Sequence, residues 1–174
     1  LVLDGAYAEY VIKEDYDSGF SLAGQFENLI ITRTFSKAYG LAGIRLGWCY
    51  SSKKIASILN KVKGPFNTQR LSQEMAIVAL DDKEYLNKVI KSNHETKSWF
   101  ESELEKIKIK TLPSEGNFSF VEIANEEANK ISAHLANSGI IVRQLESYGL
   151  ANYLRITIGT KEEMEATINS LKDL

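Results

Sequence analysis

The chain has 174 residues, 44% apolar and 25% charged, with 21 basic against 23 acidic side chains and a formal net charge of −2. This is the composition of a folded globular protein; it excludes long disordered tracts and collagen-like repeats, and the near balance of charge gives no global field for nucleic acid or an anionic membrane surface. One cysteine, Cys49, excludes an internal disulfide framework, His94 and His134 lack zinc-ligand spacing, and no apolar run reaches the roughly 20 residues a membrane helix needs.

Such cysteine usage suits a reducing cytoplasm. No charged-then-apolar signal opens the chain. Leu1 begins directly on an apolar strand without Met, so the expectation is a processed chain or a piece of something longer.

Leu1-Val-Leu-Asp-Gly-Ala-Tyr7 predicts a short buried strand ending at Asp4, because three apolar residues run without alternation. Residues 28–33 predict a second such strand, followed by the passage Thr34-Phe-Ser-Lys-Ala-Tyr-Gly-Leu-Ala-Gly43, and residues 44–50 a third. Ser51-Ser52 offers an N-cap for a helix with Ile55, Ile58, Leu59 and Val62 on one face. Strands joined by longer connections and followed by a helix predict an α/β sheet rather than a sandwich. Gly64-Pro65-Phe66-Asn67 breaks the pattern, and the domain boundary is placed here, dividing the chain into 1–66 and 67–174.

Residues 72–80 predict a helix. A longer one over 83–107 carries Leu86, Ile90, Asn93, Lys97, Phe100, Leu104 and Ile107 at spacings of three and four, the stripe of a core-facing helix. Strands are expected at 108–112, 118–123, 140–145 and 153–159. A helix over 126–137 is closed by Gly139 in the C′ place, and Thr160-Lys-Glu-Glu163 is a capping box opening the last helix. This second part reads as a small α+β unit.

Chemistry concentrates around Lys37. A lysine at the end of a buried strand, among Phe35, Ala38 and Leu41, is poorly placed to stay a hydrated ammonium. Desolvation lowers a lysine's pKa and makes the neutral amine a nucleophile toward aldehydes. Thr34 and Ser36, with Arg45 eight positions after Lys37, supply donors for a phosphate dianion. An aldehyde-seeking amine beside a phosphate cradle describes a pyridoxal phosphate site; spacing alone also fits a surface Lys and Arg flanking a glycine turn. Asp4, at the carboxyl end of an apolar strand, stands where α/β proteins place ligand groups. A carboxylate there holds a pyridine nitrogen protonated, and Tyr7 is within reach of the 3′-oxygen of the ring; a strand-terminal Asp is also a common loop cap.

Asp4-x-Ala-Tyr7 followed by Arg33-Thr-Phe-Ser-Lys-Ala-Tyr-Gly-Leu-Ala-Gly-x-Arg45-x-Gly47 resembles the class I/II pyridoxal phosphate aminotransferases. Within that superfamily the chain is most similar to the histidinol-phosphate aminotransferases. The resemblance covers essentially all of the chain but only the carboxyl-terminal half of the family's usual length. It implies part of the large cofactor-binding domain, a mostly parallel sheet with helices, over 1–66, and junction helices with the small C-terminal α+β domain over 67–174. It implies Lys37 as the lysine that bonds pyridoxal 5'-phosphate, Asp4 as the pyridinium partner and Tyr7 on the 3′-oxygen. By the same resemblance Thr34, Ser36 and Arg45 bind the cofactor's phosphate. Gly139-Ile-Ile-Val-Arg143-Gln-Leu and Tyr153-Leu-Arg155-Ile-Thr-Ile-Gly-Thr160 match the subfamily's two carboxyl-terminal blocks. If their strands pair antiparallel, both guanidinium groups face one pocket, suited to a phosphate ester. Arg143 alone also reads as a solvated strand residue. Asn117 fits a family position near the substrate, or a loop asparagine. Gly5 stands where the family usually has Glu.

The implied activity is transfer of an amino group between L-histidinol phosphate and 2-oxoglutarate, with glutamate as the other amino compound, in histidine biosynthesis. The implied protein is a cytoplasmic homodimer without nucleic acid, membrane or metal. Alternatives are an aromatic or broad-specificity aminotransferase, a phospho-amino-acid decarboxylase of the same fold, or a non-catalytic fragment. The family's amino-terminal half carries further cofactor contacts, so the 174-residue chain alone is expected to bind the cofactor weakly and turn over little. Glu9, Tyr10, Cys49, His94 and His134 read as structural or surface residues.

Overall fold

A computed structural model describes residues 1–123 and 128–173. The chain divides into two compact units, Leu1–Ile90 and Lys91–Leu174.

In the first unit, β1 (Val2–Asp4), β2 (Ile30–Thr34) and β3 (Gly47–Ser51) form one sheet in that order, β1 parallel and β3 antiparallel to β2. Burial along β2 alternates, with Ile31 and Arg33 on the covered face. The cover is the segment around Gly19 and Phe20. Gly19 takes a left-handed φ of 88°, and a Cβ there would stand 2.5 Å from Leu3 Cδ1, so only glycine lets the backbone lie this close to the sheet. Phe20 then packs edge-on to Tyr50 at 5.8 Å between centroids, with Trp48 at 6.2 Å.

Two expectations are corrected in this unit. β1 is not a buried strand: Leu1 and Val2 are 69% and 61% exposed, because β1 is an edge strand with no neighbour on its outer side among the described residues. The third strand begins at Gly47 rather than residue 44. Ala42–Ile44 forms a 3-10 turn and Arg45 adopts a left-handed φ of 52°, which a ladder cannot accommodate. Helix α1 (Lys53–Val62) is capped as read, Ser52 Oγ accepting from Ile55 N, but its apolar side faces outward, with Ile58, Leu59 and Val62 exposed. Helix α2 (Arg70–Asp81) buries Ser72 and Ala76 while Leu71, Ile77 and Val78 stay exposed.

Helix α3 (Lys83–Lys106) follows the predicted stripe, burying Asn93, Thr96, Lys97, Phe100 and Leu104. The Lys97 ammonium donates to the Ser114 carbonyl and lies 4.0 Å from Glu101 Oε1, which also accepts from Ser119 Oγ at 2.8 Å. The second unit's sheet is antiparallel throughout, in the order β4 (Lys110–Leu112), β5 (Phe118–Glu122), β7 (Tyr153–Thr157), β6 (Arg143–Gln144). β4 starts two residues later than predicted because Lys108, φ 63°, ends α3. Its N–H bonds Glu105 O while Ile109 N bonds Leu104 O, the paired arrangement of a Schellman motif. β6 is likewise shorter than residues 140–145. One sheet face carries Val121, Leu154 and Ile156 into a core with Phe100, Leu104, Leu135, Met164 and Ile168.

Helix α4 (Ala128–Asn137) ends in the same motif around Gly139, φ 78°, with Ile140 N bonded to Leu135 O and Gly139 N to Ala136 O. The expected start of this helix at Glu126 lies outside the described residues. Helix α5 (Lys161–Lys172) opens on the capping box: Thr160 Oγ1 accepts from Glu163 N and Glu163 Oε2 from Thr160 N. Among the described residues no helix is long and apolar enough to cross a membrane, and no group of three His, Cys, Asp or Glu could hold a metal ion.

Candidate active site

β1 and β2 run parallel and β3 antiparallel, so the carboxyl ends of the first two and the start of the third lie at one end of the sheet. This end gathers Asp4, Thr34, Ser36, Lys37 and Arg45. Asp4 stands opposite Thr32 in the ladder. Its Oδ1 accepts from Ala6 N at 3.1 Å and from Thr32 Oγ1 at 3.3 Å, which turns the chain after β1 and fixes the carboxylate. Among the described residues both bonds fall on Oδ1, which leaves Oδ2 open to a donor. The turn delivers Tyr7, whose ring lies 5.3 Å from Lys37 Nζ.

The lysine loop is tied at its base. Phe35 N bonds Leu46 O at 3.2 Å, continuing the β2–β3 register, and Leu41 N bonds Phe35 O at 2.9 Å. Phe35 and Ala38 are buried, anchoring the loop, while Lys37 between them is half-buried. The desolvation expected from sequence is therefore partial. Thr34 Oγ1 accepts from Ser36 N at 3.0 Å. The Phe35–Leu46 bond ties the residue that follows Arg45 to the base of the lysine loop. Arg45 is exposed and commits one nitrogen, Nη1, to Ala42 O at 2.8 Å, leaving the rest of its planar fork for an anion. Its left-handed backbone costs of order 1–3 kcal/mol, strain of a kind that concentrates at ligand-binding turns. An open carboxylate oxygen, an amine stacked on a phenol ring, a hydroxyl pair and an arginine fork fit a ring with a protonatable nitrogen at one side and a phosphate at the other.

Beneath this end lies Arg33, which the sequence reading named only as the first residue of the lysine motif, with Glu9 and Tyr10, read as structural or surface residues. Arg33 is 7% exposed. Its Nη1 donates to Thr32 O at 3.0 Å and Nη2 to Ser18 O at 3.2 Å, its Nε lies 3.9 Å from Glu9 Oε1, and its Cζ sits 5.2 Å from the Phe20 centroid. A Cβ at Gly5 would fall 1.6 Å from Arg33 Nη1, so the guanidinium occupies the space a side chain there would need. Thr32 thus links Arg33 at its carbonyl to Asp4 at its hydroxyl. The signal for this group was the Arg33 position inside an apolar strand. Burial pushes the Glu9 carboxyl up from its ordinary 4.5, against a backbone hydrogen bond and Arg33, which lower it. Its Oε2 has no hydrogen-bond partner among the described residues. Burial, then Tyr85, Glu9 and Tyr7, push the neighbouring Tyr10 to about 12.

A carboxyl whose pKa is higher folded than unfolded binds more protons in the native state, so its contribution to stability falls as pH rises above 4.5. Glu9→Gln is expected to remove that slope. Denaturant unfolding of both forms across the acid-to-neutral range should show the variant gaining on the wild type as pH rises; a gap that stays constant would refute it.

In the second unit the expected antiparallel pairing is present, and Arg143 lies directly opposite Arg155 in the β6–β7 register. Arg155 is half-buried with its Cζ 5.3 Å from the Phe118 centroid, and its Nε is buried with no hydrogen-bond partner among the described residues. Arg143 is exposed and donates Nη2 to Tyr148 Oη at 2.6 Å. Asn117 is half-buried just ahead of β5, its carbonyl accepting from Ile158 N at 2.9 Å. Of the residues read as structural, His134 bonds Ser170 O through Nε2 at 2.9 Å, and Cys49 is exposed and free.

The chain is 43% identical over 173 residues to the histidinol-phosphate aminotransferase of Granulibacter bethesdensis, covering 99% of the chain and 47% of that protein. It is 37% identical to that of Maricaulis maris, covering 98% and 48%. The crystal structure of histidinol-phosphate aminotransferase from Sinorhizobium meliloti in complex with pyridoxal-5'-phosphate superposes with a TM-score of 0.91 at 31% identity, covering 99% of the chain and 48% of that one. The chain spans about half the length of the curated relatives it matches. The family model for aminotransferase class I and II matches residues 1–171. With its lysine loop tied between two strands and an aspartate at the neighbouring strand's end, the chain belongs to the aminotransferase class I and II family.

Proposed function

We propose that the protein is a pyridoxal phosphate-dependent aminotransferase moving an amino group between L-histidinol phosphate and 2-oxoglutarate, within histidine biosynthesis. The observation that carries this reading is the pair of guanidinium groups held directly opposite each other on β6 and β7, in a chain whose relatives bear that enzyme's name. One arginine satisfies a carboxylate bidentately; a second adds the charge a phosphate ester calls for.

Pyridoxal phosphate, when bound, supplies an aldehyde and an electron-withdrawing ring. Lys37 Nζ would hold the aldehyde end of the cofactor and, as a free amine, would take a proton at the substrate's α-carbon as base and return one as acid. Asp4 Oδ2 keeps the pyridine nitrogen protonated. Thr34, Ser36 and Arg45 hold the cofactor phosphate, and Tyr7 donates to the 3′-oxygen. Arg155 binds the phosphate of one substrate, helped there by Arg143, and the carboxylate of glutamate in the other half-reaction; Asn117 contacts the substrate. The protein acts as a homodimer, supported by the exposed apolar sides of α1 and α2, and in the cytoplasm, supported by its single free thiol.

The test is turnover by the whole protein. Histidinol phosphate with 2-oxoglutarate is expected to react far faster than unphosphorylated histidinol or phenylalanine. Equal turnover of phenylalanine would replace the reading with a broad-specificity aminotransferase. Carbon dioxide release from a phosphorylated amino acid without consumption of a keto acid would replace it with a decarboxylase.

A further inference from the structure

Arg143 lies on an exposed two-residue strand, where a long side chain ordinarily samples many rotamers. Here it is held. Its Nη2 donates to Tyr148 Oη at 2.6 Å, and its Cζ sits 5.3 Å from the same ring's centroid, so one phenol grips the guanidinium by both hydrogen bond and ring face. Tyr148 owes its place to a compact turn. Leu145 is buried at 4% exposure; Glu146–Tyr148 forms a 3-10 turn; Gly149 closes it with a left-handed φ of 74°. Bonds from Gly149 N to Glu146 O and from Leu150 N to Leu145 O lock the turn, which folds the phenol back over the strand it has just left.

Directly across the ladder, Arg155 lies over Phe118 with a buried Nε that bonds nothing among the described residues. Two like charges in opposed positions repel, and a buried donor without an acceptor is costly. Both costs are relieved by one ligand: an anion with enough oxygens for two guanidinium groups. A carboxylate is satisfied by a single bidentate arginine, whereas a phosphate dianion has oxygens left for a second.

We propose that Tyr148 is a positioning residue that holds Arg143 beside Arg155, and that it thereby sets the preference for a phosphate dianion over a carboxylate. The inference rests on the reading of Arg143 and Arg155 as the anion-binding pair. Tyr148 itself is 61% exposed and contributes little to the core, so its removal leaves the fold intact.

The experiment uses the whole protein with Tyr148→Phe, Tyr148→Ala, Arg143→Ala and the Tyr148→Phe/Arg143→Ala pair. Tyr148→Phe, which keeps the ring and loses the acceptor, is expected to raise the KM for histidinol phosphate roughly 3- to 10-fold, with kcat and the KM for glutamate within about twofold of wild type. Tyr148→Ala has the larger effect, and neither moves the thermal midpoint. Calorimetric titration with inorganic phosphate is expected to show the same loss. In the Arg143→Ala background the effect of Tyr148→Phe vanishes, as it must if the phenol acts only through that guanidinium. The proposal is overturned if Tyr148→Phe leaves the phosphate KM unchanged, changes both KM values alike, or keeps its full effect without Arg143. Failure of the underlying reading looks different: Arg143→Ala itself would then leave the KM for histidinol phosphate and the binding of phosphate unchanged.

Discussion

Lys37→Ala in the whole protein is expected to lower kcat by roughly 10²–10⁴-fold or more, because it removes both the covalent anchor and the acid–base group of the reaction. The loop that presents Lys37 does not depend on its side chain. Buried Phe35 and Ala38, the Phe35–Leu46 bond and the Gly40 N to Lys37 O bond are all independent of the amine. The variant should therefore melt with the wild type. That separates a chemical loss from a structural one. Borohydride reduction of the cofactor-loaded protein followed by peptide mapping should place the label on Lys37; label on Lys53 or Lys54 would overturn the assignment. Both of those lie in the first turn of α1, exposed, away from the sheet end that gathers Asp4 and Arg45.

Arg155→Ala is the second large effect. This guanidinium is half-buried, pressed on Phe118, with a buried nitrogen awaiting an acceptor. Its bond to a substrate anion is charge-assisted and sheltered, worth about 1.5–3 kcal/mol, so kcat/KM is expected to fall by roughly 10- to 150-fold. The fall should appear with both histidinol phosphate and glutamate, since both present an anion to it. Arg143→Ala, by contrast, should weaken the phosphorylated substrate alone. Steady-state kinetics with each amino donor distinguishes the two arginines; equal behaviour would remove the division of labour between them.

The elements that one sequence made legible are those written in short-range chemistry. The stripe from Asn93 to Leu104 becomes the buried face of α3, because side chains three and four apart share one side of a helix. Thr160 with Glu163 becomes a capping box, and Gly139 ends α4, because each satisfies backbone groups only a few residues away. Asp4 at a strand end and Lys37 in its loop were visible for the same reason. Lys108 was not read as a helix end, since a lysine carries no signal for the left-handed conformation that glycine announces.

What tertiary structure alone decided concerns partners distant in sequence. Arg33 enters the sequence reading only as the first residue of the lysine motif; it is buried because Ser18, Phe20 and Glu9 converge on it and Gly5 leaves it room. The outward apolar sides of α1 and α2 follow from what the described residues place around them, which helical periodicity does not encode. The opposition of Arg143 and Arg155 is a matter of register, and a slip of one residue would turn one of them to the other face. Composition, periodicity and capping thus determined the elements and the chemical groups they carry. Strand pairing and packing determined which of those groups meet, because such contacts are set by long-range burial rather than by neighbours along the chain.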